Sequence, residues 1–147
     1  MGTYLVVANQ TADSPELLEK VKDQVRADPV AQFVLLVPAT PVEDLIKPAT
    51  FDSQTSAEQV ATQAIYKFSD EGVRFWRTLT GDSSPLIAIE QEIRSRSSLY
   101  DGIIVSTLPI EQSRWLRMNL PHQLEATFRL PVTHVVGWGG GLDNGYE

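Results

Sequence analysis

Short apolar runs alternate with amphipathic segments along the whole chain. Five runs, each bounded by turn-forming residues, predict buried β-strands. They cover residues 3–8, 33–37, 73–79, 103–107 and 132–136. Most of them are continuously apolar, and helical segments lie between them, so the pattern predicts a parallel sheet covered by helices on both faces. The third run has mixed polarity, which indicates a strand at the edge of the sheet.

Four amphipathic helices are predicted between these strands from capping residues and from apolar side chains at three- and four-residue spacing. The predicted helix starts are Ser14–Pro15, a capping box at residues 55–58, and Ser84–Pro85. Gly72 is expected to end the second helix in a left-handed conformation. The fourth helix is expected over residues 110–128, with a break or kink near Asn119, because Pro121 removes a helical donor.

The composition bounds the domain organisation. The chain has 147 residues, 42% of them hydrophobic, which suits one domain with a full core. We expect that domain over residues 1–138 and a flexible glycine-rich tail over residues 139–147. Cysteine is absent, the beginning of the sequence lacks the pattern of a signal peptide, and no apolar run reaches the length of a membrane span. A cytoplasmic protein is therefore expected, with no membrane association.

Charge points to one part of the sequence. The formal net charge is −7, which disfavours nucleic acid and anionic lipid as partners. Between residues 106 and 123, however, Glu111 is the only acid, against Arg114 and Arg117 on one predicted helical face. This stretch follows a strand that ends in two hydroxyl residues, where a helix N-terminus favours an anion. The alternative is an ordinary solvated helix face.

Several segments, spread over nearly the whole chain, carry a family resemblance. They are YLVVAN, FVLLVPAT, the proline-rich loop before the second helix, TGDSSPLIAI, YDGIIVST and LPVTHVV. Together they resemble the universal stress protein family and, more broadly, the adenine-nucleotide α-hydrolase-like superfamily. The resemblance implies a three-layer α/β/α sandwich with a five-stranded parallel sheet of order 3-2-1-4-5. It also implies a ligand site between strands one and four, ATP or another adenine nucleotide as ligand, a role in stress, and a homodimer joined through strand five.

The predicted phosphate loop departs from that family pattern. Nucleotide-binding members carry an aspartate after strand one, where this chain has Asn9. They also carry glycines after strand four, where this chain has residues 106–109, read Ser-Thr-Leu-Pro, and residues 119–122, read Asn-Leu-Pro-His. Glycines let the backbone approach a phosphate closely. Without them, hydroxyl and arginine side chains are expected to hold the anion instead.

The candidate ligand-binding residues follow from this reasoning. They are Asn9, Ser106, Thr107, Ser113, Arg114, Arg117 and His122. Each has an ordinary structural alternative, since Ser, Thr and Asn cap helices or form turns, arginines form surface ion pairs, and a lone histidine is commonly structural. His134 is expected in the core or at a dimer interface.

Three functional hypotheses remain open from the sequence. The first is a module that binds a nucleotide or another phosphate-bearing anion. The second is a dimeric, stress-related interaction protein with a degenerate pocket. The third, an enzyme acting on an adenylated substrate, has the weakest support, because no catalytic set stands out. Two histidines without cysteine give no metal-ligand pattern, so no metal is expected.

Overall fold

A computed structural model of the chain gives its fold. The structure describes residues 2–9, 11–12, 14–39, 53–81, 84–95, 99–109 and 113–137. The side chains of residues 53–56, of Arg114 and of Arg117 lie outside this description. The predicted tail at 139–147, and most of the proline-rich loop before the second helix, also lie outside the described residues.

The centre of the fold is a five-stranded sheet. Its strands are β1 (Thr3–Val7), β2 (Gln32–Pro38), β3 (Arg77–Gly81), β4 (Gly102–Thr107) and β5 (Val132–Val136). Every pairing is parallel and the spatial order is β3-β2-β1-β4-β5. The parallel sheet, its order and the edge position of β3 are therefore confirmed.

Helices cover both faces of this sheet. They are α1 (Pro15–Ala27), α2 (Ser53–Asp70), α3 (Pro85–Ser95), α4 (Arg114–Arg117) and α5 (Leu120–Phe128). Helices α1 and α2 bury their apolar sides against one face, and α3 and the α4–α5 pair do so against the other. The architecture is thus the expected three-layer sandwich. No helix within the described ranges combines the length and the apolar character that crossing a membrane requires.

Alternation along each strand divides the core into two halves. Side chains of successive strand residues point to opposite faces. In β4, Ile104 therefore packs in the cluster under α1 and α2, while Ile103 and Val105 pack in the cluster under α3 and α5. This alternation decides the direction of the polar residues that end β4.

The centre of the sheet contains its topological switch point. Strand β1 pairs with β2 on one side and with β4 on the other, so that Val7 lies opposite both Leu36 and Val105. The helix that follows β1 packs on one face of the sheet, and the helix that precedes β4 packs on the other. In sheets of this kind a crevice forms beyond the carboxyl ends of the two strands at this point, which here are β1 and β4. The sheet therefore supplies one defined end at which a ligand site is expected.

Several predicted helix boundaries agree with the structure. Helix α1 begins at Pro15, directly after Ser14, whose Oγ accepts a hydrogen bond from the Leu17 N–H. Gly72 adopts the expected positive φ of 82°. The break before Pro121 is also confirmed, because Asn119 takes a left-handed φ of 56° between α4 and α5.

Other boundaries were wrong. Helix α2 begins at Ser53, before the predicted capping box. Strand β3 begins at Arg77, although the third apolar run starts at Val73. Val73 and Phe75 are apolar because they pack into the core under α2, not because they belong to the strand. The helix expected over 110–128 is shorter than predicted, since α4 starts only at Arg114.

Candidate functional site

Buried polar side chains concentrate at one end of the sheet. In the described part of the chain six polar residues are buried, with exposures of 0 to 3%. They are Asn9, Thr11, Ser14, Ser106, Thr107 and Ser113. The first three belong to the β1–α1 connection, and the others to the end of β4 and the β4–α4 connection. All six therefore lie at or beyond the carboxyl ends of β1 and β4.

Asn9 links the ends of β1 and β2, on the side of β1 away from β4. Its Nδ2 donates a hydrogen bond of 2.8 Å to the carbonyl oxygen of Pro38, the last residue of β2. Its own carbonyl oxygen accepts from the Ala12 N–H at 3.0 Å, which turns the chain toward α1. Asn9 therefore fixes the β1–α1 connection against β2, as a turn-forming side chain can.

Thr11 and Ser106 form a direct contact across the switch point. Their hydroxyl oxygens lie 2.5 Å apart, and either can be the donor. Both residues are fully buried. A hydroxyl has one hydrogen and two acceptor positions, so the pair uses one of its two hydrogens in this bond. The other hydrogen can be donated to another acceptor, including a ligand.

Gly137 closes the same region from the side of β5. Its N–H donates to the carbonyl oxygen of Thr107 at 2.8 Å, directly after the end of the β4–β5 pairing. A Cβ at Gly137 would lie 2.6 Å from the Ser14 Oγ and 3.3 Å from the Thr11 Cβ. The glycine therefore lets the chain after β5 pack tightly against the start of α1.

Thr107 contacts a histidine on the neighbouring strand. Its Oγ1 lies 2.8 Å from Nε2 of His134, which occupies the middle of β5. His134 is exposed, so its prediction as a core residue was wrong, while the interface alternative remains a prediction. Partial burial of the imidazole nevertheless lowers the pKa of His134 below its ordinary value, because desolvation disfavours the charged form.

The β4–α4 connection presents the remaining candidates. Ser113 is fully buried, and its Oγ accepts a hydrogen bond of 3.1 Å from the Leu116 N–H, as an N-cap residue does. Arg114 and Arg117 are the first and last residues of α4, but their side chains lie outside the described atoms. His122 is exposed in the first turn of α5 and makes no hydrogen bond to another side chain of the described residues.

The candidates share one end of the sheet but do not point to one place. Ser106 follows the alternation of Ile104 and faces the layer of α1, where it meets Thr11. Thr107 follows Ile103 and Val105 and faces the layer of α4 and α5, where it meets His134. The site therefore has two sides, which we call the α1 side (Thr11, Ser14, Ser106) and the α4 side (Thr107, Ser113, His134).

The electrostatics of the two sides differ. Glu16 lies in the first turn of α1, and its Oε1 is buried without a hydrogen-bond partner among the described residues. A carboxylate there opposes an anion on the α1 side. The α4 side carries the two arginine positions of α4 and the imidazole of His134. No group of three or more His, Asp or Glu within the described ranges could hold a metal ion.

Thr11, Ser14 and the role of His134 were missed from the sequence. Thr11 and Ser14 were open to prediction, because they follow Asn9 in the connection that leaves β1 at the switch point. The partnership of Thr107 with His134 was not, since it depends on the register of β5 against β4.

Comparison with solved structures identifies the fold. A universal stress protein from Archaeoglobus fulgidus superposes with a TM-score of 0.62 at 12% identity, covering 92% of this chain and 93% of that one. A protein of the universal stress protein family from Burkholderia pseudomallei gives 0.59 at 15% identity, covering 90% and 94%. No protein-family model and no curated protein matches the sequence. The fold expected from the sequence resemblance, that of a universal stress protein, is therefore confirmed.

Proposed function

We propose that this universal-stress-protein-like domain binds a nucleotide or another phosphate-bearing anion at the carboxyl ends of β1 and β4. The observation that carries the proposal is the position of the six buried polar residues. Burying a hydroxyl or an amide costs free energy unless it is hydrogen-bonded, so such groups are sparse in an ordinary core. Here they gather at the switch point, where sheets of this kind hold their ligands.

The negatively charged part of the ligand belongs on the α4 side. Thr107 and Ser113 contribute buried hydroxyls there, and Arg114 and Arg117 belong to the same short helix. The α1 side carries Glu16, whose carboxylate repels an anion but accepts hydrogen bonds from a hydroxyl. An adenine nucleotide has both features, an anionic phosphate and a ribose with two hydroxyls.

A side-chain grip replaces the glycine-rich loop of the family in this proposal. Guanidinium groups form charge-assisted hydrogen bonds with phosphate oxygens, often two at a time. Such bonds contribute about 1.5–3 kcal/mol each. Arg114→Ala and Arg117→Ala should therefore each weaken binding by roughly 10- to 150-fold.

Calorimetry with ATP, ADP and inorganic phosphate tests this proposal. Arg129→Ala is the matched control, because Arg129 is an exposed arginine at the other end of α5, after Phe128. Its removal changes the net charge equally and should leave the affinity nearly unchanged. Absence of binding by the parent protein, or equal binding by the Arg114→Ala and control variants, would contradict the proposal.

The second candidate function is a dimeric interaction protein with a degenerate pocket. Two observations favour it. Asn9, Ser106 and Ser113 already form hydrogen bonds within the protein, so no ligand is needed to satisfy them. Strand β5 also lies at the edge of the sheet with His134 and Val136 exposed, and an open edge strand invites pairing with another copy.

Two measurements separate the candidates. Mass spectrometry of small molecules released from freshly purified protein would detect a bound nucleotide under the first function. Light scattering would detect a homodimer, which we propose through β5 under either function. A ligand-free dimer that also fails to bind added ATP would favour the second function.

A further inference from the structure

Thr107 and His134 connect the buried end of β4 to the solvent-exposed edge of the sheet. The Thr107 hydroxyl is fully buried, and the imidazole that contacts it at 2.8 Å is exposed. His134 lies opposite Val105 in the pairing of β4 with β5, and Thr107 lies on the same face of β4 as Val105. The side chains of His134 and Thr107 therefore both project toward the layer of α4 and α5. Solvent protons therefore have direct access to the partner of a buried hydroxyl at the proposed site.

The protonation state of the imidazole decides the direction of this hydrogen bond. In neutral His134, Nε2 either accepts from the Thr107 hydroxyl or donates to it, depending on the tautomer. In the imidazolium, Nε2 can only donate. The Thr107 oxygen must then accept, and its hydrogen is directed to a different acceptor. Protonation therefore excludes the state in which the hydroxyl hydrogen is bonded to the imidazole, makes that hydrogen available to a ligand, and adds a positive charge next to it.

We infer that His134 is a positioning residue of the proposed anion site, and that its protonation orients the Thr107 hydroxyl toward a bound anion and strengthens anion binding. The inference rests on the proposed function and deepens it. Neither residue needs to move, because protonation only excludes the tautomer in which Nε2 accepts, and the bond that is already present then runs from Nε2 to the Thr107 oxygen.

No described neighbour of His134 forms an ion pair with its imidazole. Strand β4 offers it Val105 and Thr107, neither of which titrates. The helices packed on β5 and the neighbouring α4 carry the charged and titratable residues Glu16, Glu19, Lys20, Lys22, Asp23, Arg26, Arg114, Arg117, His122 and Glu125. No ion pair between these residues and His134 occurs in the described part of the chain. Desolvation lowers the pKa of His134, which favours the neutral form at neutral pH in the absence of ligand.

Thermodynamic linkage gives two measurable quantities, the anion affinity as a function of pH and the pKa of His134 with and without bound anion. If protonation of His134 strengthens anion binding, a bound anion must raise the pKa of His134 by the same coupling. We expect about a fivefold coupling, at the lower end of the usual range, because the imidazole is exposed and its charge is screened. The pKa of His134 should then rise by about 0.7, the logarithm of that factor.

Sulfate is the suitable probe, because it stays a dianion across the range in which an imidazole titrates. The chain has only two histidines. In a His122→Gln background, His134 therefore gives the only imidazole signals, and NMR titration with and without saturating sulfate reads its pKa directly. Calorimetry at pH 5.5 and 7.5 measures the sulfate affinity in the same background.

Two further variants separate the hydrogen bond from a general charge effect. Thr107→Val removes the hydroxyl with little change in shape, and should abolish the rise in pKa. His134→Gln keeps a hydrogen-bonding side chain without a titration, and should make sulfate affinity equal at the two pH values.

Each outcome decides something different. If sulfate binds while the pKa of His134 stays constant, or still rises in Thr107→Val, the inference is overturned and the proposed function stands. If sulfate binds at neither pH to the parent protein or to the His122→Gln variant, and shifts no amide signal near Ser106 or Ser113, the proposed anion site fails and the inference fails with it.

Discussion

The contact between Thr11 and Ser106 joins two parts of the chain that are far apart in sequence. The two hydroxyls meet across the boundary between the β1–α1 connection and β4, and no solvent reaches either residue. A buried hydroxyl that loses its partner keeps the cost of its desolvation. Removing one hydroxyl should therefore destabilise the protein more than its own loss explains, because the buried partner is left without a hydrogen bond. Removing both hydroxyls leaves no such unsatisfied group.

At this scale we expect Thr11→Val to lower the free energy of unfolding by about 1–3 kcal/mol, because Ser106 is left without its partner. The double variant Thr11→Val/Ser106→Ala should lose less than the sum of the two single changes. Urea denaturation measures all three. Thr62→Val is the matched control, since Thr62 is exposed on α2 and its hydroxyl donates to the backbone carbonyl of Glu58 there. Strictly additive losses would show that the hydroxyl pair contributes no coupling.

At the scale of elements, β3 and α3 approach each other closely where Gly81 faces Ala88. A Cβ at Gly81 would lie 2.7 Å from the Cβ of Ala88 and 3.3 Å from Cδ1 of Leu36. Two small residues therefore set the distance at which α3 packs on the edge of the sheet. The cleft beside this contact has a volume of about 140 Å³ and is lined further along by Leu79, Gln91 and Glu92.

Gly81→Ala should push α3 away from β3 and destabilise the protein by about 1–3 kcal/mol, as overpacking does. Ala88→Gly removes the atom that the new methyl group would meet. The double variant should then be more stable than the two single losses predict, although the helical glycine itself costs about 1 kcal/mol. Thermal unfolding of the three variants gives the comparison. A double variant no better than the sum would place the strain elsewhere.

Much of this element-level arrangement was predictable from the sequence. Continuous apolar runs predicted the strands, and Pro121 predicted the break at Asn119. The start of β3 was predicted too early, because Val73 and Phe75 are apolar yet lie outside the strand. They pack into the core under α2, a tertiary contact that the sequence pattern does not reveal. Because the carboxyl ends of parallel strands lie at the same end of a sheet, the sequence did predict which polar residues share that end. It could not predict that Ser106 and Thr107 face different layers toward Thr11 and His134, since these contacts span 95 and 27 residues.

At the scale of the whole molecule, the two edges of the sheet differ. Strand β3 packs tightly against α3 where Gly81 meets Ala88, whereas β5 exposes His134 and Val136. Pairing of two copies along β5 would satisfy the free backbone groups of that edge and cover its apolar side chains. The proposed homodimer therefore has a defined location that a single substitution can probe.

Val136→Glu should convert a dimer to a monomer, because it places a like charge from each copy at the shared edge. Val136 is 43% exposed, so the change should cost the folded monomer little. Val30→Glu is the matched control, at a residue that is 58% exposed in the turn before β2. Light scattering across a concentration series measures the mass. A parent protein that remains monomeric at micromolar concentration would rule out the β5 dimer.

The strand order also has a consequence for how the chain acquires its structure. Strands β1, β2 and β3 are consecutive in sequence and in space, and so are β4 and β5. The two groups meet only where β1 pairs with β4, about a hundred residues apart. During synthesis the first three strands can associate early, while the second group must wait until β4 has left the ribosome. The proposed binding site straddles that late junction, so ligand-binding competence should be the last property that a newly made molecule gains.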